Sequence, residues 1–178
     1  METNNTQTEL NNDAPTAMEV GTRFGFMLTV ISILLFLIPA LTSMNPFKGP
    51  WNWIGLGFTV AIMYLAHKKF KDEGNGFMSY SQGVAIAAWI AAISTVVSMI
   101  FYYGYISFID NGPFELFMIQ QEDEMIANGT PDSVIETSLE WTRKLFWIIG
   151  IVMGLIFNLI VGLVLTIFTK NQIKEAPF

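Results

Sequence analysis

The sequence predicts an all-α integral membrane protein, a bundle of four transmembrane helices with a helical acidic outer loop between helices 3 and 4. Three observations predict it. Charged residues make up only 13% of the 178 residues against 52% hydrophobic. The charges are excluded from four long stretches. The acids gather in one connection near the C-terminal third.

Phe24–Met44, Trp51–Ala66, Gly83–Ile109 and Leu145–Thr169 hold no Asp, Glu, Lys or Arg over 21, 16, 27 and 25 residues. A helix crosses a hydrocarbon core with about 20 apolar residues. Three stretches meet that length. The second is short, but its helix can run on through His67, Lys68 and Lys69, whose stems reach for the headgroups. The alternative for it is a buried or re-entrant helix. The expected spans are about 24–44, 51–69, 80–109 and 145–169, within a membrane domain over 21–173.

Met1–Val20 carries Glu2, Glu9, Asp13 and Glu19 and no base, so it lacks the basic n-region of a signal peptide. It reads as a disordered cytoplasmic tail, 1–20, before an uncleaved anchor. Residues 174–178 read as a second short tail. Pro39 removes a backbone donor, and a kink is expected near Leu35.

The first hairpin, Asn45-Pro46-Phe47-Lys48-Gly49-Pro50, is a tight turn. The second connection turns at Gly74-Asn75-Gly76, and Ser79 with Gln82 has the spacing of a capping box. In the outer loop, 110–144, Phe114, Phe117, Met118, Gln121 and Met125 fall at helical spacing, with Pro113 in the first turn and Asn128-Gly129 at the end. Thr130 is the expected N-cap of a second helix whose first residue is Pro131. Nothing interrupts that helix before Leu145, so it is expected to merge with the fourth span. Glu140 and Lys144 form an i,i+4 pair.

Orientation follows Lys and Arg in short loops. With the N-terminus inside, Arg23, Lys68, Lys69, Lys71, Lys170 and Lys174 are cytoplasmic, against Lys48, Arg143 and Lys144 outside. Both termini are therefore expected in the cytoplasm. Trp51, Trp53, Tyr103, Tyr105, Trp141 and Trp147 fall at the outer boundary, as amphipathic rings do. Between Asp110 and Lys144, eight acids and two bases account for the whole net charge of −6. Such a loop repels nucleic acid and anionic lipid. It reads first as a solvated face and second as a cation trap, without EF-hand spacing.

The run Lys69-Phe70-Lys71-Asp72-Glu73-Gly74-Asn75-Gly76-Phe77-Met78-Ser79-Tyr80-Ser81-Gln82-Gly83 resembles the inner loop of an uncharacterised bacterial family. Tyr102-Tyr103-Gly104-Tyr105-Ile106-Ser107-Phe108-Ile109-Asp110 and the acidic loop after it resemble the same family, the domain of unknown function numbered forty-one ninety-nine. The similarity covers about Thr22 to Ile173. It implies a four-helix protein of a bacterial inner membrane, and it brings no catalytic or ligand residue with it.

The chemistry is sparse. With no cysteine, disulfides, thiolate metal sites and a thiol nucleophile are excluded. No ionisable residue lies within the four charge-free stretches, which argues against a proton-coupled transporter. His67, the one histidine, reads as an interfacial residue beside Lys68 and Lys69, lacking the partners of a triad. Glu122, Asp123 and Glu124 are adjacent and would splay around a helix. No catalytic, cofactor or metal residue is identified, and no small-molecule ligand. Ser94, Thr95 and Ser98 are read as helix-packing residues.

Small residues recur every four positions at Gly150, Gly154, Asn158 and Gly162, at Gly83, Ala87, Ala91 and Thr95, and at Gly21, Gly25 and Thr29. Such seams let helices approach closely in lipid. They serve packing within the chain or contact with a membrane-protein partner or second copy. Asp132-Ser133-Val134 matches a bacterial periplasmic O-glycosylation signal, making Ser133 a candidate acceptor. Two functions are expected: a non-enzymatic accessory or scaffold subunit of an envelope complex, or a small oligomeric transporter or channel.

Overall fold

A computed structural model describes residues 14–171. Among the described residues the elements are five helices: α1 (Ala17–Leu41), α2 (Trp51–Glu73), α3 (Tyr80–Phe108), α4 (Gly112–Ala127) and α5 (Asp132–Thr169). By length and composition, α1, α3 and α5 can cross a membrane. α2 has 23 residues, but Asn52, two glycines and the His67-Lys68-Lys69 end dilute its apolar run.

Local chemistry sets the helix ends. α1 begins four residues inside the expected tail, because Thr16 and Glu19 form a reciprocal capping box. Val20 is thereby buried at 3% exposure. Residues 17–20 are thus helix, whereas 1–13 and 172–178 lie outside the described residues. Pro39 falls in the last turn of α1, which runs unbroken to Leu41. Its carbonyl accepts from Thr42 and Met44. Ser79 and Gln82 make both halves of the capping box that starts α3.

Gly129, at φ 71°, closes α4 in a left-handed conformation, with Thr130 N–H donating to the Met125 carbonyl. Pro131, not Thr130, then caps α5. Its ψ of 142° is extended, and its carbonyl accepts from Val134 and Ile135. Thr130 and Pro131 each sit one place earlier in the cap than the sequence suggests, and the cap has no side-chain hydrogen bond. α5 continues without a break for 38 residues, about 57 Å at 1.5 Å per residue. That is nearly twice a hydrocarbon core of roughly 30 Å.

The helices meet along the small-residue seams. α1 and α3 run parallel. A methyl group at Gly21 would strike Trp89, and one at Gly25 would touch Ile93 at 3.0 Å. α3 and α5 run antiparallel, so each step of four on α5 meets a reverse step on α3. Gly150 faces Met99, Gly154 faces Thr95, Gly162 faces Ala87 and Thr166 faces Gly83. α2 lies against α1 and α5.

Two apolar clusters close the bundle at either end. The one at the N-terminal end of α1 packs Val20, Phe24, Leu28, Ile62, Met63, Ile86 and Ile90. The one at the opposite end is aromatic. Phe36 stacks on Tyr102 at 4.4 Å between centroids, and Phe146 meets Phe47, Phe114 and Trp147 at 5.0–5.1 Å. Tyr105, expected in the boundary belt, is instead 6% exposed inside this cluster, edge-on to Phe36.

Candidate functional site: an uncharged polar chamber between the helices

Between the two apolar clusters the lining turns polar. Ser32 of α1, Thr59 of α2, Ser94, Thr95 and Ser98 of α3 and Asn158 of α5 each lie near the middle of an apolar stretch. They line a chamber of about 150 Å³, open on one side, with Leu28, Met99, Tyr102, Gly150 and Gly154. A larger cleft of about 520 Å³ shares Ser32, Thr59, Tyr102, Gly154 and Asn158 with it. The walls of the cleft are mainly apolar, from Leu35 and Phe36 to Trp51, Leu56 and Phe157. No residue lining either space carries a formal charge.

The polar groups differ in how they are held. Tyr102 Oη donates to the Ser32 carbonyl at 2.9 Å. Asn158 Nδ2 donates to Thr95 Oγ1 at 3.2 Å and to the Gly154 carbonyl at 2.9 Å. Ser94 and Ser98 are 3% and 4% exposed, yet neither hydroxyl has a hydrogen-bond partner among the described residues. Ser98 neighbours the Tyr102 phenol, whose proton goes to the Ser32 carbonyl. Leaving a buried hydroxyl unpaired costs about 1–3 kcal/mol.

His67 is the second polar feature, and the sequence reading of it is corrected. It is fully buried, not interfacial. Nε2 lies 3.0 Å from the Gly83 carbonyl and Nδ1 lies 2.8 Å from Thr169 Oγ1. A carbonyl only accepts, so Nε2 carries the proton. Lys71 Nζ donates to the Thr169 carbonyl at 3.1 Å, and Met78 and Asn171 exchange backbone bonds beside it. The C-terminal ends of α2 and α5 and the N-terminal end of α3 are thus latched together. His67 thus has two partners, a hydroxyl and a carbonyl. The arrangement holds helices together.

The seam residues Gly150, Gly154, Asn158 and Gly162 all face α3 within the same chain. Ser133 is exposed in the first turn of α5. Glu122, Asp123 and Glu124 are exposed, and no group of His, Asp or Glu among the described residues is placed to hold a metal ion.

Outside the bundle, α4 is clamped to α5. Arg143 gives two hydrogen bonds to Glu115, at 2.6 and 3.1 Å, and its guanidinium lies over Phe114. Those bonds hold the Glu115 carboxyl below its usual range, against a small opposing effect of burial. Lys48 pairs with Glu124, tying α4 to the first hairpin.

The model of a family described as a protein of unknown function, DUF4199, matches residues 23–169. The chain belongs to the DUF4199 family. The match takes in α1 from Arg23 onward and every helix after it, so the chamber and the His67 contacts of this DUF4199 chain lie inside it. No curated protein and no solved structure matches the chain.

Proposed function

We propose that this DUF4199 chain crosses a bacterial inner membrane four times, with both termini cytoplasmic, and acts as a non-enzymatic accessory or scaffold subunit of an envelope complex. The observation that carries the role is the rigid outer head. α4 is fastened to α5 by Arg143–Glu115 and by the aromatic cluster, and it leaves Glu122, Asp123, Glu124, Asp132, Glu136 and Glu140 on the exposed side. A head ordered to that degree offers a fixed acidic surface to a partner, and electrostatic complementarity favours register and encounter rate.

Several features support four passes. α2 packs beside α1 and α5, the long apolar helices, and buries Thr59, Ile62, Met63, Ala66 and His67 against them. Val152, Ile156, Ile160, Val164 and Ile167 stay exposed along one face of α5, as lipid-facing residues do. The seam of α5 is used within the chain, which leaves the head, not the seam, to meet a partner.

Charge reversal tests the role. The chain with Glu122, Asp123 and Glu124 changed to lysine is expected to lose its larger complex on mild extraction from native membranes. A wild-type chain that extracts as a bare monomer sinks the reading. Single cysteines at Gly76 and Gly129 test topology, since only Gly129→Cys should react with a membrane-impermeant maleimide in intact cells.

The second reading, a small oligomeric transporter or channel, is favoured by the uncharged chamber. Ser133 is further proposed as an O-glycan acceptor, supported by its exposure in the first turn of α5.

A further inference from the structure

We propose that the cleft and chamber form one binding site for a small membrane-borne amphiphile with an uncharged, hydroxyl-bearing head and an apolar body. The inference rests on the membrane setting of the bundle and is independent of the partner-binding role.

The geometry of the lining carries it. Ligand sites are mostly apolar, with a few polar groups converging at one end, and measure about 300–1,000 Å³. The cleft, at about 520 Å³, has that character. Its apolar walls lead to Ser32, Thr59 and Asn158, and beyond them to the chamber that Ser94 and Ser98 line. Neither of those two buried hydroxyls has a hydrogen-bond partner among the described residues. A hydroxyl head would give and take a hydrogen bond there, replacing what the helices leave unmade. The chamber far exceeds the roughly 10–15 Å³ that admits one water, so a head group fits.

The charge of the head follows from the same lining. With no Lys, Arg, His, Asp or Glu around either space, nothing offsets the cost of bringing an ion out of water. The route of entry follows from exposure. Asn52, Met153 and Phe157 are the exposed side chains of the lining, so the mouth lies between α2 and α5. Met153 and Phe157 belong to the lipid-facing side of α5. The body would therefore arrive sideways from the bilayer, head first.

The absence of cysteine makes a clean test. Gly55 lines the cleft, and a side chain there meets only Leu35, at 3.7 Å. Gly57, on the same helix, faces open space. Full-length Gly55→Cys and Gly57→Cys proteins in nanodiscs are alkylated with N-ethylmaleimide, with 1-decanol, decane or decanoate present. Decanol is expected to slow Cys alkylation at position 55 by about fivefold, equivalent to roughly 80% occupancy, and to leave position 57 unchanged. Decane and decanoate should slow neither.

Adding Ser94→Ala and Ser98→Ala to the Gly55→Cys protein should abolish decanol protection while leaving the melting temperature equal or higher, since unpaired hydroxyls are removed. Equal protection by decane would mean that no head is recognised and overturns the proposal. Equal protection by decanoate overturns the uncharged class. Equal slowing at both positions reduces the effect to the bilayer, and protection that survives the double alanine removes the chamber from the site. The ratio of the two rates does not depend on which face is cytoplasmic, so failure here and failure of the topology read out separately.

Discussion

His67 Nδ1 lies 2.8 Å from Thr169 Oγ1, joining two helices whose contact residues are 102 positions apart in the chain. With the Gly83 carbonyl on Nε2, the imidazole spans α2, α3 and α5 at one point. The latch matters because α2 is the least apolar of the membrane-length helices and depends on specific bonds as well as on burial.

His67→Leu is expected to cost about 1–3 kcal/mol, because the Gly83 carbonyl and Thr169 hydroxyl lose a partner in a buried place. Thermal unfolding in detergent reads the loss. His67→Gln, which can still donate to one of them, should recover part of it. A leucine variant as stable as the wild type would show that the latch contributes nothing.

Gly162 tests the α3–α5 seam. Its missing side chain is the space that Ala87 fills, so Gly162→Leu should force the helices apart and destabilise by about 1–3 kcal/mol or more. Gly154→Leu should behave similarly, since Thr95 Cγ2 stands 2.8 Å from where its Cβ would be. Gly57→Leu, facing open space, is the control and should be near neutral. Asn158→Leu should lose roughly 0.6–2 kcal/mol through the bond to Thr95.

Acid should loosen the outer head. Hydrogen bonds from Arg143 lower the Glu115 pKa in the folded chain from its ordinary 4.5. A carboxyl with a depressed folded pKa contributes stability that is fully present above the unfolded value and is lost as the pH falls through the folded one. Amide exchange in α4 should therefore be pH-independent, after intrinsic correction, down to about pH 4.5 and accelerate below it. The effect should be modest, because the pair is partly exposed and screened. In Arg143→Gln the acid-dependent step should shrink or vanish; if it persists unchanged, another group governs it.

Glycosylation at Ser133 predicts a mass. Protein taken from its native envelope should carry added mass that Ser133→Ala removes. Intact-mass spectrometry decides it, and an unmodified chain ends the proposal. Ser133 is exposed in that turn, and the hydrogen bond from Thr137 Oγ1 goes to its main-chain carbonyl, not its hydroxyl.

The sequence by itself determined what is local. The apolar stretches, the Ser79–Gln82 box, the Gly129 stop and the unbroken run of α5 follow from transfer energies and caps, which depend on a few neighbouring residues. The Thr16–Glu19 box is equally local, and it carries α1 back over residues 17–20. The polar residues at mid-span, from Ser32 to Asn158, were visible one helix at a time. Only the tertiary structure decided that they face one another, that Tyr105 turns inward, and that His67 is enclosed. The reason is physical. In a membrane both the lipid and the neighbouring helix are apolar, so hydropathy does not distinguish the inner face of a helix from the outer. That choice is made when helices dock, by which small residues let which backbones close, and the docking of α3 on α5 and α1 brought the hydroxyls to a common centre.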